Sequence, residues 1–243
     1  MESQDKSEAV HVGEDFEVPL TEEFPCPYLP DRMSRSEVYS AEGLTPAMYE
    51  MLMAHGFRRS GSIIYRPVCR GCNECQQLRV PVGTFRLSRS MRRVWRRNED
   101  VEVRVVDPQP SEGKYELFRR YLVHQHDGSM TRTYQAFVDF LYNSPMESTA
   151  FEYSVGGQLV AVSLADICAD GLSSVYVYFD PDFRDRSLGV YSALWEIDFC
   201  RRENLAYYYL GFYIADCAAM NYKSRYAPNE VAVDDGRWVR FEE

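Results

Sequence analysis

Apolar and polar residues alternate most regularly between residues 151 and 179. Two segments of this kind are joined by a Gly156-Gly157 turn, and an Asp170-Gly171 turn precedes a third. Two-residue turns of this composition connect neighbouring antiparallel strands. The pattern therefore predicts a meander of three antiparallel strands, at 151–155, 159–167 and 174–179.

A helical pattern follows the meander. Leu188, Tyr191, Trp195 and Phe199 recur at spacings of three and four residues, which places them on one face of a helix over 187–203. An apolar segment at 207–214 then has the length of a buried strand. The predicted order is meander, helix, strand. The beginning of this helix would offer backbone N–H groups and the positive end of its dipole to an anion.

Shorter elements precede the meander. Thr45 as N-cap and Pro46 at the first helical position predict a helix that ends at Gly56, with Met48, Met51 and Leu52 on its apolar face. Further patterns predict strands at 62–66, 77–82 and 102–106 and helices at 88–97, 112–126 and 132–143. We predict three parts: an acidic flexible tail (1–23), a small domain rich in cysteine and arginine (24–100), and an α+β domain (101–243).

Arginine is concentrated in one part of the chain. Residues 58–97 contain eleven arginines, no lysine and one acid, Glu74, a local charge of +10 in a protein whose net charge is -10. The predicted helix at 88–97 separates a basic face from the apolar residues Met91, Val94 and Trp95. Its basic face consists of Arg89, Arg92, Arg93, Arg96 and Arg97. Guanidinium groups pair well with phosphates, so the segment favours a polyanion site over an ordinary solvated basic face.

Several classes of protein do not fit the composition. The chain has 243 residues, 45% of them apolar, but no apolar run approaches the ~18 residues of a membrane span. The amino terminus is acidic, unlike that of a signal peptide, so we expect a cytoplasmic protein without a membrane partner. The sequence contains neither a phosphate loop nor a dinucleotide fingerprint, which argues against ATP or NAD.

Four of the seven cysteines form a candidate metal site. Cys69, Cys72 and Cys75 follow one another at intervals of three residues, and the fold would have to bring Cys26 to them. Four thiolates suffice for zinc or an iron-sulfur cluster. The alternative is a set of reduced thiols in a tightly turned small domain.

A set of motifs resembles a known family over nearly all of residues 24–243. The chain is similar to the bacterial aminoacyl-tRNA-protein transferases of the leucyl branch, which are related to the eukaryotic arginyl-tRNA-protein transferases. The motifs are Cys26-Pro-Tyr, Gly56-Phe-Arg-Arg-Ser-Gly, Tyr65-Arg-Pro-Val-Cys69, Leu78-Arg79-Val, Ser173-Ser-Val-Tyr176, Tyr178-Phe-Asp180-Pro-Asp182, Tyr209-Leu-Gly-Phe-Tyr-Ile214 and Met220-Asn-Tyr-Lys223-Ser-Arg-Tyr226-Ala-Pro228.

The resemblance implies a fold and a reaction. The fold would be a GNAT-like acyltransferase domain with a cysteine-bearing amino-terminal domain, which agrees with the predicted meander, helix and strand. The reaction would move leucine from leucyl-tRNA to proteins that begin with Asp or Glu, for degradation by the N-end rule. It would involve neither DNA nor a required cofactor. An arginyl donor, an acetyl-CoA-dependent GNAT acetyltransferase and a metal-bearing RNA-binding module are the alternatives.

Individual residues receive roles from this chemistry. Asp166 is a candidate holder or base for the amine, unless it only caps a turn at a strand end. Tyr178 and Tyr213 could line the leucine pocket or donate to the oxyanion, unless they are core or rim residues. An acidic acceptor needs a cation, for which Lys223 and Arg225 are the first candidates and Arg66 and Arg79 the second. The arginines of the helix at 88–97 would bind the phosphates of the tRNA.

Overall fold

The computed structural model describes residues 19–126, 133–233 and 235–241. Most of its strands belong to one sheet. The strands are β1 (Phe24–Pro25), β2 (Met33–Ser34), β3 (Ser36–Ser40), β4 (Arg58–Ser60), β5 (Ile63–Pro67), β6 (Gln76–Pro81), β7 (Glu102–Val106), β8 (Ser148–Val155), β9 (Gln158–Ile167), β10 (Gly171–Phe179), β11 (Tyr207–Tyr213), β12 (Glu230–Ala232) and β13 (Trp238–Arg240).

Helices cover both faces of this sheet. The α-helices are α1 (Pro46–Ala54), α2 (Arg89–Arg97), α3 (Glu112–His126), α4 (Tyr134–Leu141), α5 (Leu188–Arg202) and α6 (Ala218–Asn221). Two 3-10 helices lie at Pro181–Arg186 and Tyr222–Arg225. Within the described residues, no helix is long and apolar enough to cross a bilayer.

The central sheet has eight strands in the order β13-β12-β6-β11-β10-β9-β8-β7. The predicted meander forms its middle as β8, β9 and β10, which pair antiparallel. The first turn is Gly156-Gly157 as predicted, whereas the second lies one residue earlier than predicted, at Ala169-Asp170, and Gly171 begins β10. Gly156 and Gly157 have φ values of 56° and 81°, which glycine adopts without a steric penalty. The meander prediction is confirmed.

Helix α5 crosses from β10 to β11, which lie parallel. They pair only over Gly171–Ser173 and Tyr207–Tyr209, and beyond this short stretch the two strands separate. We call this opening the β10–β11 fork. Both strands also bulge there, β10 between Ser174 and Tyr176 and β11 between Tyr209 and Gly211. The fork is the main irregularity of the central sheet.

The predicted amino-terminal segment shares this sheet. β6 lies between β11 and β12, pairing antiparallel with both, so residues 24–100 supply an internal strand to a sheet whose other members come from 101–243. The domain boundary at residue 100 stays a prediction. The central sheet contains strands from both sides of this boundary. Most of the predicted acidic tail lies outside the described residues. Its last part is ordered, because Leu20 bridges Glu37 of β3.

A second sheet, β3-β5-β4, carries α1 and packs against the first. Helix α1 begins as predicted, with the Thr45 hydroxyl accepting a hydrogen bond from the Met48 backbone N–H at 3.2 Å. Its predicted apolar face is wrong for two of three residues, since Leu52 packs against the core but the two methionines do not. Met48 and Met51 are 45% and 58% exposed, whereas Tyr49 and Met53 are fully buried. The nine residues of α1 are apolar on nearly every side, so their spacing alone does not select the buried face.

Two hydrophobic clusters lie on opposite faces of the central sheet. One packs α2 and α5 against it through residues such as Met91, Leu194 and Ile197. The other packs α3 and α4 against it through Phe118 and Phe137. The sheet is therefore the middle layer of a three-layer α/β arrangement.

Candidate active site

Asp166 lies near the end of β9 and is completely buried. Its two oxygens accept hydrogen bonds from Nε and Nη2 of Arg59 at 2.7 and 2.8 Å, and the Ser148 hydroxyl donates to it at 2.7 Å. Burial opposes the charge of Arg59, but the Asp166 carboxylate outweighs this effect and raises the pKa of the guanidinium. The carboxylate thus ties β4 to the central sheet. This environment does not fit the predicted contact with a substrate amine.

Tyr178 belongs to the core between the sheet and the helices α3 and α4. Its ring packs edge-on against Phe118, with ring centres 5.4 Å apart, and its hydroxyl lies 2.7 Å from the hydroxyl of Tyr142. Burial raises the pKa of Tyr178 well above its ordinary value. Since its side chain is fully buried, Tyr178 does not fit the predicted contact with an oxyanion.

Tyr213 ends β11, on one arm of the β10–β11 fork. It is 8% exposed, and its ring packs edge-on against Phe241 with centres 4.9 Å apart. The opposite arm, β10, leads through a 3-10 helix to α5, where Gly189 approaches Phe179. The beginning of α5 and the fork therefore belong to the same part of the fold.

Lys223 is the best placed of the four predicted acceptor-binding cations. It lies in the 3-10 helix after β11, is 8% exposed, and its Nζ donates to the Phe212 carbonyl at 2.7 Å. Burial and then the nearby charge of Arg58 lower the pKa of Lys223 from 10.5 to about 7. The ammonium group is therefore close to its titration point near neutral pH.

The other three predicted cations do not lie together. Arg66 pairs with Glu37 at 2.7 Å, and Arg79 pairs with Glu230 at 2.7 Å while its guanidinium stacks 3.6 Å from the Tyr207 ring centre. Both charges are already compensated, which weakens their case as carboxylate ligands. Arg225 is exposed at the end of the same 3-10 helix as Lys223.

Sequence reasoning missed Arg58 as a site residue. Its side chain crosses from β4 to the fork, where Nη1 donates to the Ser173 hydroxyl at 3.0 Å and Nη2 donates to the Ser174 carbonyl. Gly211 of β11 lies next to this guanidinium, and a Cβ at position 211 would come within 3.0 Å of Arg58 Cζ. The signal was present in the Gly56-Phe-Arg-Arg-Ser-Gly motif, but the sequence does not show which arginine reaches the sheet.

The four predicted metal ligands line one small cavity of about 140 Å³, together with Tyr28 and Tyr65. Burial and the neighbouring thiols raise the pKa of Cys75 to about 12, so its thiol is neutral. In the part of the chain that is described, no three His, Cys, Asp or Glu side chains are arranged to hold a metal ion. The four thiols thus meet at one cavity, and the zinc or iron-sulfur site formed by Cys26, Cys69, Cys72 and Cys75 stays a prediction.

Helix α2 has the predicted two faces. Ser88 caps it, Met91 is buried, and Trp95 packs partly against α5, while its five arginines are exposed. A groove of about 600 Å³ runs between α2 and α5. Its basic walls include Arg86, Arg92 and Arg201. Exposed guanidinium groups on both sides of an apolar groove are suited to a nucleic-acid strand.

Comparison with known proteins identifies the family. Residues 24–93 match the family model for the N terminus of arginine-tRNA-protein transferases, and residues 113–233 match the model for their C terminus. An aspartate/glutamate leucyltransferase of Marinobacter nauticus is 40% identical over 216 residues, 88% of this chain and 91% of that protein. That of Hahella chejuensis is 38% identical over 222 residues, 90% and 94% of the two chains. The chain belongs to the aspartate/glutamate leucyltransferase family.

The family assignment confirms the predicted resemblance and makes the protein an aminoacyltransferase. Among solved structures, FemX superposes with a TM-score of 0.52 at 10% identity, covering 74% of this chain and 65% of the FemX chain. At this identity the likeness concerns the fold alone, and the chain spans just under two thirds of FemX. The predicted GNAT-like acyltransferase fold is confirmed in this sense.

Proposed function

We propose that this protein transfers leucine from leucyl-tRNA to the α-amine of proteins that begin with aspartate or glutamate. The observation that supports it most is the 38–40% identity to aspartate/glutamate leucyltransferases over about 90% of the chain. The added leucine creates a destabilising amino terminus for N-end rule degradation, and the protein acts in the cytoplasm.

The tRNA lies along α2 in this proposal. Arg89, Arg92, Arg93, Arg96 and Arg97 are exposed on one helix, and the groove beside it adds Arg201 of α5. Such a surface would bind phosphates without reading bases, as a tRNA-dependent enzyme requires for the body of its substrate.

The chemistry requires little beyond positioning. The aminoacyl ester is already activated, so an α-amine with an ordinary pKa of about 8 can attack it once both groups are held together. The enzyme must stabilise the tetrahedral oxyanion and let the ribose oxygen leave with a proton. We place this reaction at the β10–β11 fork, near Tyr213 and the beginning of α5, and no cofactor takes part. Asp166 and Tyr178 support the fold around the site rather than touch the substrate.

Arginine as donor is the second candidate, because both family models are described as arginine-tRNA-protein transferases. An acetyl-CoA-dependent reaction is less well supported, because a small anionic cofactor would leave most of the exposed arginine surface without a partner. The identity of the amino acid that is transferred is therefore the first property to measure.

A transfer assay tests the proposal. The purified protein would be incubated with radiolabelled leucyl-tRNA or arginyl-tRNA and with peptides that differ only in an initial Asp, Glu, Lys or Ala. We expect leucine in the Asp and Glu peptides alone. Arginine transfer would replace the donor and keep the mechanism, whereas no transfer from either tRNA would refute the proposal.

A further inference from the structure

Two adjacent arginines of β4 differ in how their charge is balanced. Arg58 and Arg59 are both buried, with 8% and 5% of their surface exposed. Arg59 faces the Asp166 carboxylate, which holds it through two hydrogen bonds. The acceptors that Arg58 meets in the described part of the chain are neutral, namely the Ser173 hydroxyl and the Ser174 carbonyl. The fold thus provides an anion for one arginine and none for its neighbour.

The guanidinium of Arg58 occupies the closed end of the β10–β11 fork. Ser173 is the last residue of β10 that pairs with β11, and Ser174 is the first beyond it. Gly211 on β11 has a φ of 78° and no side chain, which leaves room for the guanidinium. Crevices at the carboxyl ends of parallel strands are common ligand sites. The hydrogen bonds to β10 hold the Arg58 guanidinium at such a position.

Lys223 approaches the same place from β11. Its Nζ donates to the carbonyl of Phe212, the residue after Gly211. The charge of Arg58 is near enough to help lower the pKa of Lys223. Two buried cations therefore lie on the two arms of one fork, and each has more N–H donors than its contacts use.

No acidic side chain balances this pair. Within residues 19–126, 133–233 and 235–241, neither Arg58 nor Lys223 forms an ion pair. The phenols of Tyr49 and Tyr65 lie within the field of Arg58, but burial raises the pKa of both, so they stay neutral. Burial and the charge of Arg58 already shift Lys223 towards its neutral form, and a bound anion would stabilise the charged forms of both groups.

We propose that Arg58 and Lys223 together bind the side-chain carboxylate of the acceptor's first residue at the β10–β11 fork. This assignment rests on the proposed function, because it uses the acidic amino terminus of the acceptor as the missing anion. Arg58 presents a planar fork of donors to the carboxylate, and Lys223 adds a point charge. Arg58 thereby becomes a specificity-determining residue.

The same arrangement accounts for acceptance of both acidic residues and for rejection of their amides. Aspartate and glutamate differ by one methylene, which a site centred on two cations at the closed end of a cleft can accommodate by a small shift of the backbone. Asparagine has the shape of aspartate but leaves both buried cations unbalanced, and an unpaired buried charge carries a large penalty. Discrimination between Asp and Asn is therefore the quantity that reports on this site.

The test compares leucine transfer to two peptides that differ only in an initial Asp or Asn. The variants are Arg58→Gln and Lys223→Gln, with Arg119→Gln on the exposed surface of α3 as the matched control. We expect either site variant to reduce the Asp-over-Asn ratio of kcat/KM at least about 30-fold, chiefly through KM for the Asp peptide. Affinity for leucyl-tRNA should not change, and the control should keep the wild-type ratio within about twofold.

The outcomes distinguish a failure of the proposed function from a failure of the assignment of Arg58 and Lys223. If the wild type transfers no leucine to the Asp peptide, the proposed function fails. If the wild type transfers leucine but folded Arg58→Gln keeps its Asp-over-Asn ratio, the function stands and this assignment is overturned. Should Arg58→Gln not fold, Lys223→Gln decides, because the proposal requires both cations. Circular dichroism and the melting temperature establish folding for each variant.

Discussion

Three arginines of α2 allow a direct test of the tRNA surface. Arg89, Arg93 and Arg96 are exposed, and none of their side chains forms a hydrogen bond or ion pair with another described residue. Arg92 and Arg97, in contrast, donate to backbone carbonyls outside the helix. Replacing Arg89, Arg93 and Arg96 by glutamine removes their charge and keeps good helix formers, so α2 should still pack against α5.

The size of the effect follows from counterion release. Each phosphate contact contributes about 0.9 to the slope of log affinity against log salt concentration, so three lost contacts make the slope shallower by about 2.7. Between about 50 and 200 mM salt, the wild type should then lose about 40-fold more affinity than the triple variant. The difference in slope is more informative than any single dissociation constant.

The assay is a titration of fluorescent leucyl-tRNA, followed by anisotropy at several salt concentrations. A matched triple variant replaces Arg119, Arg237 and Arg240, which are exposed elsewhere on the molecule, by glutamine. A slope that stays at the wild-type value in the α2 variant, or that changes equally in the matched variant, would refute a tRNA site on α2. The melting temperature of both variants should stay close to that of the wild type.

Three further predictions concern buried groups. Burial raises the pKa of Glu196 from 4.5 to about 7, so the native state holds its proton more tightly than the unfolded chain and stability falls as pH rises through this interval. Glu196→Gln should remove about 2–3 kcal/mol of the loss between about pH 5 and 8 in urea unfolding, and an unaltered pH dependence would contradict this. Asp166→Asn leaves the buried Arg59 without its anion and should destabilise the fold by about 3–5 kcal/mol in the same assay, whereas a loss below about 1 kcal/mol would show that Arg59 becomes hydrated. Gly211→Ala adds a Cβ at a positive φ and 3.0 Å from Arg58 Cζ, so it should cost at least about 1–2 kcal/mol, and a neutral result would mean that both the backbone at 211 and this guanidinium relax freely.

The sequence predicted those parts of the fold that local patterns determine. The meander depends on two short turns, and at the first the two glycines adopt the left-handed conformation that such turns require. Helix α2 was recognisable because its arginines and apolar residues lie on opposite faces. In both cases the deciding interactions connect residues close together in the chain, where spacing is informative.

The site depended on contacts that spacing does not report. Arg58 meets Ser173 across 115 positions of the chain, and the adjacent Arg59 meets Asp166 across 107. A strand sends neighbouring side chains to opposite faces, so one arginine of the pair reaches an acid and the other reaches the fork. Only the three-dimensional packing of β4 against the central sheet distinguishes them. Asp166 attracted a catalytic prediction for the same reason, because its ion-pair partner lies far away in sequence.

The insertion of β6 between β11 and β12 constrains how the protein is made. Pro81 of β6 pairs with Tyr207, which a ribosome adds about 125 residues later, and at about 5–20 residues per second this takes roughly 6–25 s. During that interval β6 has neither of its neighbours, although it carries the fully buried side chains of Leu78 and Val80. The meander can form earlier from local contacts, but its β10 edge stays open until β11 emerges. β6 thus stays unpaired while about half of the chain is made, and the β10 edge is open while about 30 residues are added, which makes the nascent chain a substrate for chaperones that cover such edges.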